Sequence, residues 1–198
     1  MNGRLIYIVG PSGAGKDSLL AWVRKHLPAS APLHWARRAI TRPADAGGEA
    51  HECLDTEGFE NVVQAQGFAM HWQANGLRYG IRREELAHLT HEVHGRWVLL
   101  NGSRAYLPEA ARLYPGMTVI HITADANVLR QRLAKRGRES AQEIERRIER
   151  AVDLQVPEGS ALHEVRNNDQ LEAAGRQLMT LIEAITGHGR RPGRAAGD

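Results

Sequence analysis

An α/β fold built on a parallel central sheet is predicted by three features of the sequence. Strand-like apolar runs alternate with segments of helical periodicity along most of the 198 residues. The first run, Leu5 to Val9, is apolar throughout, as a strand buried on both faces must be. A glycine-rich turn then leads directly into an amphipathic segment, the strand–turn–helix order of a parallel unit.

Each element follows from local chemistry. From Gly15 to His26 the spacing of Leu19, Leu20, Val23 and Leu27 makes one apolar helical face, and Pro28 ends it. Leu33 to Ile40 reads as a second strand, Thr41 to Gly48 as a loop, and Phe59 to Gln66 as a short helix. Phe68 to Ala74 and Leu77 to Ile81 flank Asn75-Gly76, a hairpin turn because both residues tolerate positive φ. A small antiparallel insert is therefore expected within about residues 33–82. Arg82 to His94 is predicted helical, Trp97 to Leu100 a buried strand, Ala105 to Tyr114 a helix and Met117 to Thr123 a strand. Two arginine-rich helices follow, Ala126 to Arg136 and Ala141 to Val156, broken at Gly137; then a short strand, Leu162 to Val165, and a closing helix, Asp169 to Ile185.

Length and composition narrow the function classes. At 198 residues the chain is expected to form one domain, residues 1–187, with residues 188–198 a disordered basic tail. No apolar run approaches the roughly 20 residues of a membrane helix. The opening MNGRLIYIVG lacks the features of a secretion leader, so the mature chain is expected to start at Met1. The single cysteine, Cys53, cannot pair internally, which fits a cytoplasmic protein. The formal charge of +3 owes much to Arg190, Arg191 and Arg194 in the tail, leaving a nearly neutral body and no argument for nucleic acid.

Gly10-Pro11-Ser12-Gly13-Ala14-Gly15-Lys16 lies between the first strand and first helix, the context in which a Walker A loop is credible. The glycines let backbone N–H groups surround a phosphate, the helix N-terminus favours the anion, and Lys16 reaches the β- and γ-phosphates. A three-layer P-loop NTPase fold is thus expected. Position 17 departs from the motif: Asp17 stands where Ser or Thr normally serves Mg²⁺, followed by Ser18, which can reach an α-phosphate. Asp17 is either a metal ligand or an acid favoured by the helix dipole.

Among P-loop proteins, a GTPase needs a guanine-reading Asn-Lys-x-Asp run, and Asn167-Asn168-Asp169 has no lysine. Arg132, Arg136, Arg138 and Arg147, at about residues 126–150, instead suit a helical lid that neutralises a transferred phosphoryl group. Neighbouring acids such as Glu139, Glu143, Glu145 and Glu149 offer the alternative of a solvated ion-paired face.

The order Walker A, Thr41-Arg42, Gly48-Glu49, Tyr79-Gly80, Arg132 to Gly137 and Asn168-Asp169 resembles the guanylate-kinase family over most of the chain. Within it, GPSGAGKDSLL, HWQANGLRYG and VLLNGSRAYLP are similar to the bacterial kinases that phosphorylate ribose 1,5-bisphosphate to phosphoribosyl diphosphate. The resemblance implies ATP as donor with Mg²⁺, Arg132 and Asn168 at the adenine, Arg42 and Tyr79 at the acceptor phosphate, and Lys16, Arg136 and Arg147 in catalysis. Departures fall where guanine would be read: His71, Ser103 and Arg38 replace two carboxylates and a serine, and Asn101 replaces the Walker B aspartate. Unpaired base edges cost about 1–3 kcal/mol each, whereas a guanidinium grips a second phosphate. Glu49, His51, Asn75 and Ser103 are candidates for the sugar hydroxyls.

The expected function is therefore phosphorylation of ribose 1,5-bisphosphate by a monomer or homodimer whose partners are small molecules, with neither nucleic acid nor membrane. A guanylate kinase and a non-catalytic nucleotide-binding module remain the alternatives. His88, His91 and His94 read as surface histidines rather than a metal site, Trp22, Trp35 and Trp97 as core, and Cys53 as an inert thiol.

Overall fold

The computed structural model describes residues 4–43, 49–89, 96–137, 139–149 and 154–188. Gly48, His91, His94, Arg138 and the tail from residue 189, all considered above, lie outside the described residues.

Five parallel strands form the central sheet: β1 (Leu5–Val9), β2 (Leu33–Trp35), β7 (Trp97–Asn101), β8 (Thr118–Thr123) and β9 (Ala161–Arg166), in the order β2-β7-β1-β8-β9. β1 sits in the middle, fully buried, with Tyr7 opposite Leu100 on one side and Val119 on the other. Its alternate side chains enter two cores, Ile6 and Ile8 one face, Leu5, Tyr7 and Val9 the other. Both faces are covered, which is why the strand lacks polar alternation. Helices α1 (Lys16–His26) and α7 (Leu171–Thr186) pack on the Ile6/Ile8 face through Leu19, Val23, Leu178 and Ile182. α4 (Leu107–Leu113) covers the other through Leu107 and Ala110.

A second sheet of four strands, β4-β3-β6-β5, comprises β3 (Arg38–Ile40), β4 (Glu52–Cys53), β5 (Phe68–Ala74) and β6 (Leu77–Arg82). Asn75 and Gly76, at φ 50° and 75°, turn the β5–β6 hairpin as expected, with Ala74 opposite Leu77. α2 (Thr56–Gln64), capped by the Asp55 carboxylate accepting from the Gly58 amide at 2.7 Å, buries Phe59 against this sheet.

Three boundaries differ from the sequence reading. The run Leu33 to Ile40 is two strands in two sheets: the Ala36 amide makes a last bond to the Leu99 carbonyl, and the chain then crosses to pair Arg38 with Ile81. The residues between the two strands, Ala36 and Arg37, include neither glycine nor proline, so no local breaker marks the change of sheet. The helix expected from Arg82 to His94 is α3 (Arg83–Leu86) with a 3₁₀ turn at Ala87–Leu89 within the described part. Between α5 (Ala126–Arg136) and β9, the last arginine-rich helix, α6, runs Ala141–Glu149, and residues 154–156 are not helical; Pro157 disfavours helix at Val156. The two-residue β4 is too short to leave a pattern. No helix among the described residues is long and apolar enough to cross a membrane.

Candidate active site

A cleft of about 660 Å³ opens beyond the carboxyl end of β1, bounded by the Gly10–Ser18 turn, the second sheet, the loop after β7, and the lid helices α5 and α6. Pro11 and Ser12 line it together with Gly10, Gly13, Gly15, Lys16, Asp17 and Ser18, while Ala14 is fully buried beneath. Gly15 has φ 82°, and a Cβ there would stand 2.5 Å from Asn167 Nδ2. That amide donates to the Ala14 carbonyl at 2.8 Å, tying the loop to the chain just after β9. Both backbone freedom and close approach therefore require glycine at this position.

The Lys16 ammonium donates to the carbonyls of Gly10 and Pro11 at 2.7 and 3.2 Å, curled over its own loop. Desolvation lowers its pKa from 10.5 to about 8; Asp17 works against this, and the Arg38, Arg104 and Arg136 guanidiniums add to it.

Asn101, buried at the end of β7, donates its Nδ2 to Asp17 Oδ1 and to Glu49 Oε2, each at 2.9 Å. The amide thus joins the P-loop to the acceptor-side loop. Asn101 Oδ1 is buried without a hydrogen-bond partner. Asp17 lines the cleft, and its carboxylate is a hard donor that fits a small divalent cation, whereas Asn101 does not line the cleft and reaches that carboxylate through Nδ2. The described residues contain no group of three His, Cys, Asp or Glu side chains able to hold a metal.

Glu49 also forms a salt bridge with Arg38 Nε, both side chains largely buried. Arg38 stacks its guanidinium 5.1 Å from the Tyr79 ring centre, and Tyr79 in turn lies parallel to Trp72, 5.6 Å between centres. Arg42 lines the same wall, and its Nε is buried without a partner. His51, itself buried, contacts the Glu49 and Arg42 carbonyls at 3.0 Å each and staples the two ends of the intervening loop. On the lid, Arg136 and Arg147 line the cleft, and Arg147 donates to Ser12 Oγ at 3.1 Å and pairs with Glu139 at 3.3 Å.

Several residues expected at the site do not line the cleft. His71 is exposed and does not line the cleft: side chains alternate along β5, so placing Trp72 inward turns His71 outward. Neither Arg132 nor Asn168 lines it. Arg132 donates to the Asn167 carbonyl at 2.8 Å, and Asn168 accepts from the Asp125 amide at 2.8 Å, ordering the entry to α5. Glu49 is held behind Arg38 rather than lining the cleft. Arg42, Tyr79, Asn75 and Ser103 do line it.

Other residues had no readable signal. Asn167 adjoins the Asn168-Asp169 motif, but its bond to Ala14 spans 153 positions. Tyr7 looks like one more apolar strand residue, yet its phenol donates to the Ser103 carbonyl at 3.1 Å and accepts from the Ser103 amide at 3.0 Å. Burial raises its pKa, so it stays neutral and able to donate. The His88 ring lies tilted against that of His34, 4.0 Å between centres, and His34 Nε2 contacts Glu85 at 2.6 Å, a cluster built on β2.

A phosphate-binding turn at the carboxyl edge of a parallel sheet, faced by arginines from a second sheet and from a helical lid, defines a P-loop phosphotransferase. The chain belongs to the guanylate kinase family, whose pattern matches residues 2–185. It is 44% identical to the ribose 1,5-bisphosphate phosphokinase PhnN of Thiobacillus denitrificans, over 91% of this chain and 93% of that one. With the protein of the same name from Burkholderia mallei it shares 46% identity, over 92% and 96% of the two chains. The guanylate kinase from Anaplasma phagocytophilum has the same fold, with a TM-score of 0.56 over 93% of this chain and 87% of that one, at 17% identity.

Proposed function

We propose that this protein transfers the γ-phosphoryl group of ATP to the anomeric phosphate of ribose 1,5-bisphosphate, yielding 5-phospho-α-D-ribose 1-diphosphate (PRPP) and ADP. The observation that carries this reading is the charge of the cleft. Among the described residues six cationic side chains line it, Lys16, Arg38, Arg42, Arg104, Arg136 and Arg147, against one lining carboxylate, Asp17; Glu49 and Glu139, which pair with Arg38 and Arg147, do not line it. That excess suits a donor triphosphate meeting an acceptor with two phosphates of its own. No carboxylate from β5 faces the cleft to read a purine edge, and the relatives named ribose 1,5-bisphosphate phosphokinase share more than two-fifths of their residues with this chain.

The roles follow from position. Lys16 and the loop amides hold the donor phosphates, and the lid arginines Arg136 and Arg147 neutralise charge on the group in transit. Arg42 and Tyr79 hold the attacking phosphate in line; the unpartnered Arg42 Nε is satisfied when an oxyanion arrives. The acceptor oxygen is already anionic at neutral pH, so no side chain needs to act as general base. Asp17 is the residue that would hold Mg²⁺, its carboxylate oriented by the Asn101 amide, and the ion would offset charge on the donor phosphates when bound. Substrates of this kind place the enzyme in the cytoplasm.

An assay of ADP release with ribose 1,5-bisphosphate and with GMP tests the reading. Turnover of the pentose bisphosphate, with PRPP as product, is expected; turnover of GMP alone would replace this function with that of a guanylate kinase.

A further inference from the structure

Tyr7 does more than fill the core. It is fully buried on the middle strand, where a phenylalanine ring would occupy the same space, and a buried phenol needs partners for its hydroxyl. It finds both in one residue: the hydroxyl accepts from the Ser103 amide at 3.0 Å and donates to the Ser103 carbonyl at 3.1 Å, 96 positions along the chain. The backbone before Ser103 is shaped around that contact. The Gly102 amide donates to the Ile8 carbonyl at 2.8 Å, and a Cβ on Gly102 would fall 2.1 Å from the Tyr7 ring, so only glycine lets the loop descend onto the phenol. Beyond Ser103 the Tyr106 amide adds a second bond to the same carbonyl at 3.2 Å, and the Tyr106 ring stacks on Trp72 of the second sheet, 5.4 Å between centres. The turn is thereby fixed against the acceptor side of the cleft, which Trp72, Asn75 and Tyr79 line together with Ser103.

With its amide and carbonyl engaged, the polar group left to Ser103 is its hydroxyl, which makes no hydrogen bond to the described residues. A neutral group that both donates and accepts matches a sugar hydroxyl, whereas anionic phosphates are better met by the guanidiniums of the cleft. We infer that the Ser103 hydroxyl hydrogen-bonds a secondary hydroxyl of the acceptor's ribose and that Tyr7 is the positioning residue that holds it there, so that the pair sets a preference for ribose over a deoxy sugar. Because the backbone of the turn is already set, little ordering is left to lose on binding.

This inference deepens the acceptor reading and rests on it, and the test separates the two. Affinities for ribose 1,5-bisphosphate and for its 2-deoxy and 3-deoxy analogues are measured by calorimetry on the full chain, with Mg²⁺ and a non-hydrolysable ATP analogue, for wild type, Ser103→Ala, Tyr7→Phe and the double variant. Wild type should favour ribose over at least one analogue by about fivefold or more, as one neutral hydrogen bond allows, and Ser103→Ala should bring that ratio to within about twofold of unity. Tyr7→Phe keeps the ring and loses both bonds; it should lower the same ratio, and the double variant should lower it no further than Ser103→Ala does. Affinity for the ATP analogue within about twofold of wild type shows that each variant is folded. Equal losses on all three sugars in Ser103→Ala, a ratio that Ser103→Ala leaves unchanged, or a Tyr7→Phe protein that is less stable yet keeps the wild-type ratio would each overturn the inference while the acceptor reading stands. Wild-type protein that fails to bind ribose 1,5-bisphosphate would remove the acceptor reading itself, before any variant is compared.

Discussion

Asn101 donates its side-chain amide to Asp17 Oδ1 at 2.9 Å, linking the end of β7 to the first turn of α1. Relative to the family pattern the sequence resembles, in which the acid lies on the strand and a hydroxyl follows the lysine, the acid here follows the lysine and an amide stands on the strand. The amide supports two carboxylates at once, because its other contact is Glu49.

An acid at position 101 would therefore bring three carboxylates together and remove their shared donor. Asn101→Asp is expected to lower stability by about 2 kcal/mol and to cut Mg²⁺-dependent turnover. Asp17→Ala should cut turnover far more than Asp17→Ser, and the double change Asp17→Ser with Asn101→Asp should recover much of what Asn101→Asp alone loses. Steady-state rates across a Mg²⁺ titration check this; equal activity of Asp17→Ala and Asp17→Ser would sink the metal role of Asp17.

Lys16 predicts a proton taken up on nucleotide binding. With its pKa lowered from 10.5 to about 8, the ammonium is partly deprotonated at mildly alkaline pH, and arriving phosphates favour the charged form. Calorimetry near pH 8.5 in buffers of different ionisation enthalpy should register that uptake, and Lys16→Met should abolish it. Stability carries the matching sign: between about pH 8 and 10.5 the unfolded chain binds more protons at this site, so its contribution rises with pH across that window and levels off below it. Unfolding curves of wild type and Lys16→Met should accordingly diverge in the wild type's favour as pH increases.

Asn167 and its neighbour should separate in mutational tests. Asn167→Ala removes the tie to the Ala14 carbonyl and is expected to cost about 1–3 kcal/mol, with a raised KM for ATP because the loop is no longer held. Asn168→Ala removes only the cap-side contact to the Asp125 amide and should cost no more than about 1 kcal/mol. Chemical denaturation and KM values for the two variants decide between them.

His71 and Trp72 form the simplest contrast. His71→Ala should leave kcat and KM within about twofold, since an exposed residue outside the cleft contributes little. Trp72 is buried between the Tyr79 and Tyr106 rings, 5.6 and 5.4 Å away, and Trp72→Ala should cost about 3 kcal/mol or more and raise the acceptor KM. A kinetic defect in His71→Ala comparable to that of Tyr79→Phe would contradict this arrangement.

What was legible in the chain depended on the range of the interaction. The Gly10–Lys16 turn, the Asn75-Gly76 hairpin and α5 from Ala126 to Arg136 are visible because backbone chemistry and helical spacing act between near neighbours. The change of sheet between Trp35 and Arg38 was not, since neither Ala36 nor Arg37 between them is a breaker. At the site, motif order brought Lys16, Arg42, Tyr79 and the lid arginines to one cleft, but it also offered His71, which strand alternation turns away.

The sequence by itself determined the class of the fold, the phosphate-binding turn and the family of the chain, because these rest on local periodicity and on a contiguous motif. Only the tertiary structure decided which side chains meet across the cleft: Asn101 between Asp17 and Glu49, Asn167 on Ala14, Tyr7 on Ser103. Those contacts span 52 to 153 positions along the chain. Hydrogen bonds of that separation leave no spacing to read, since they form only when the stacked strands carry distant segments to one edge of the sheet.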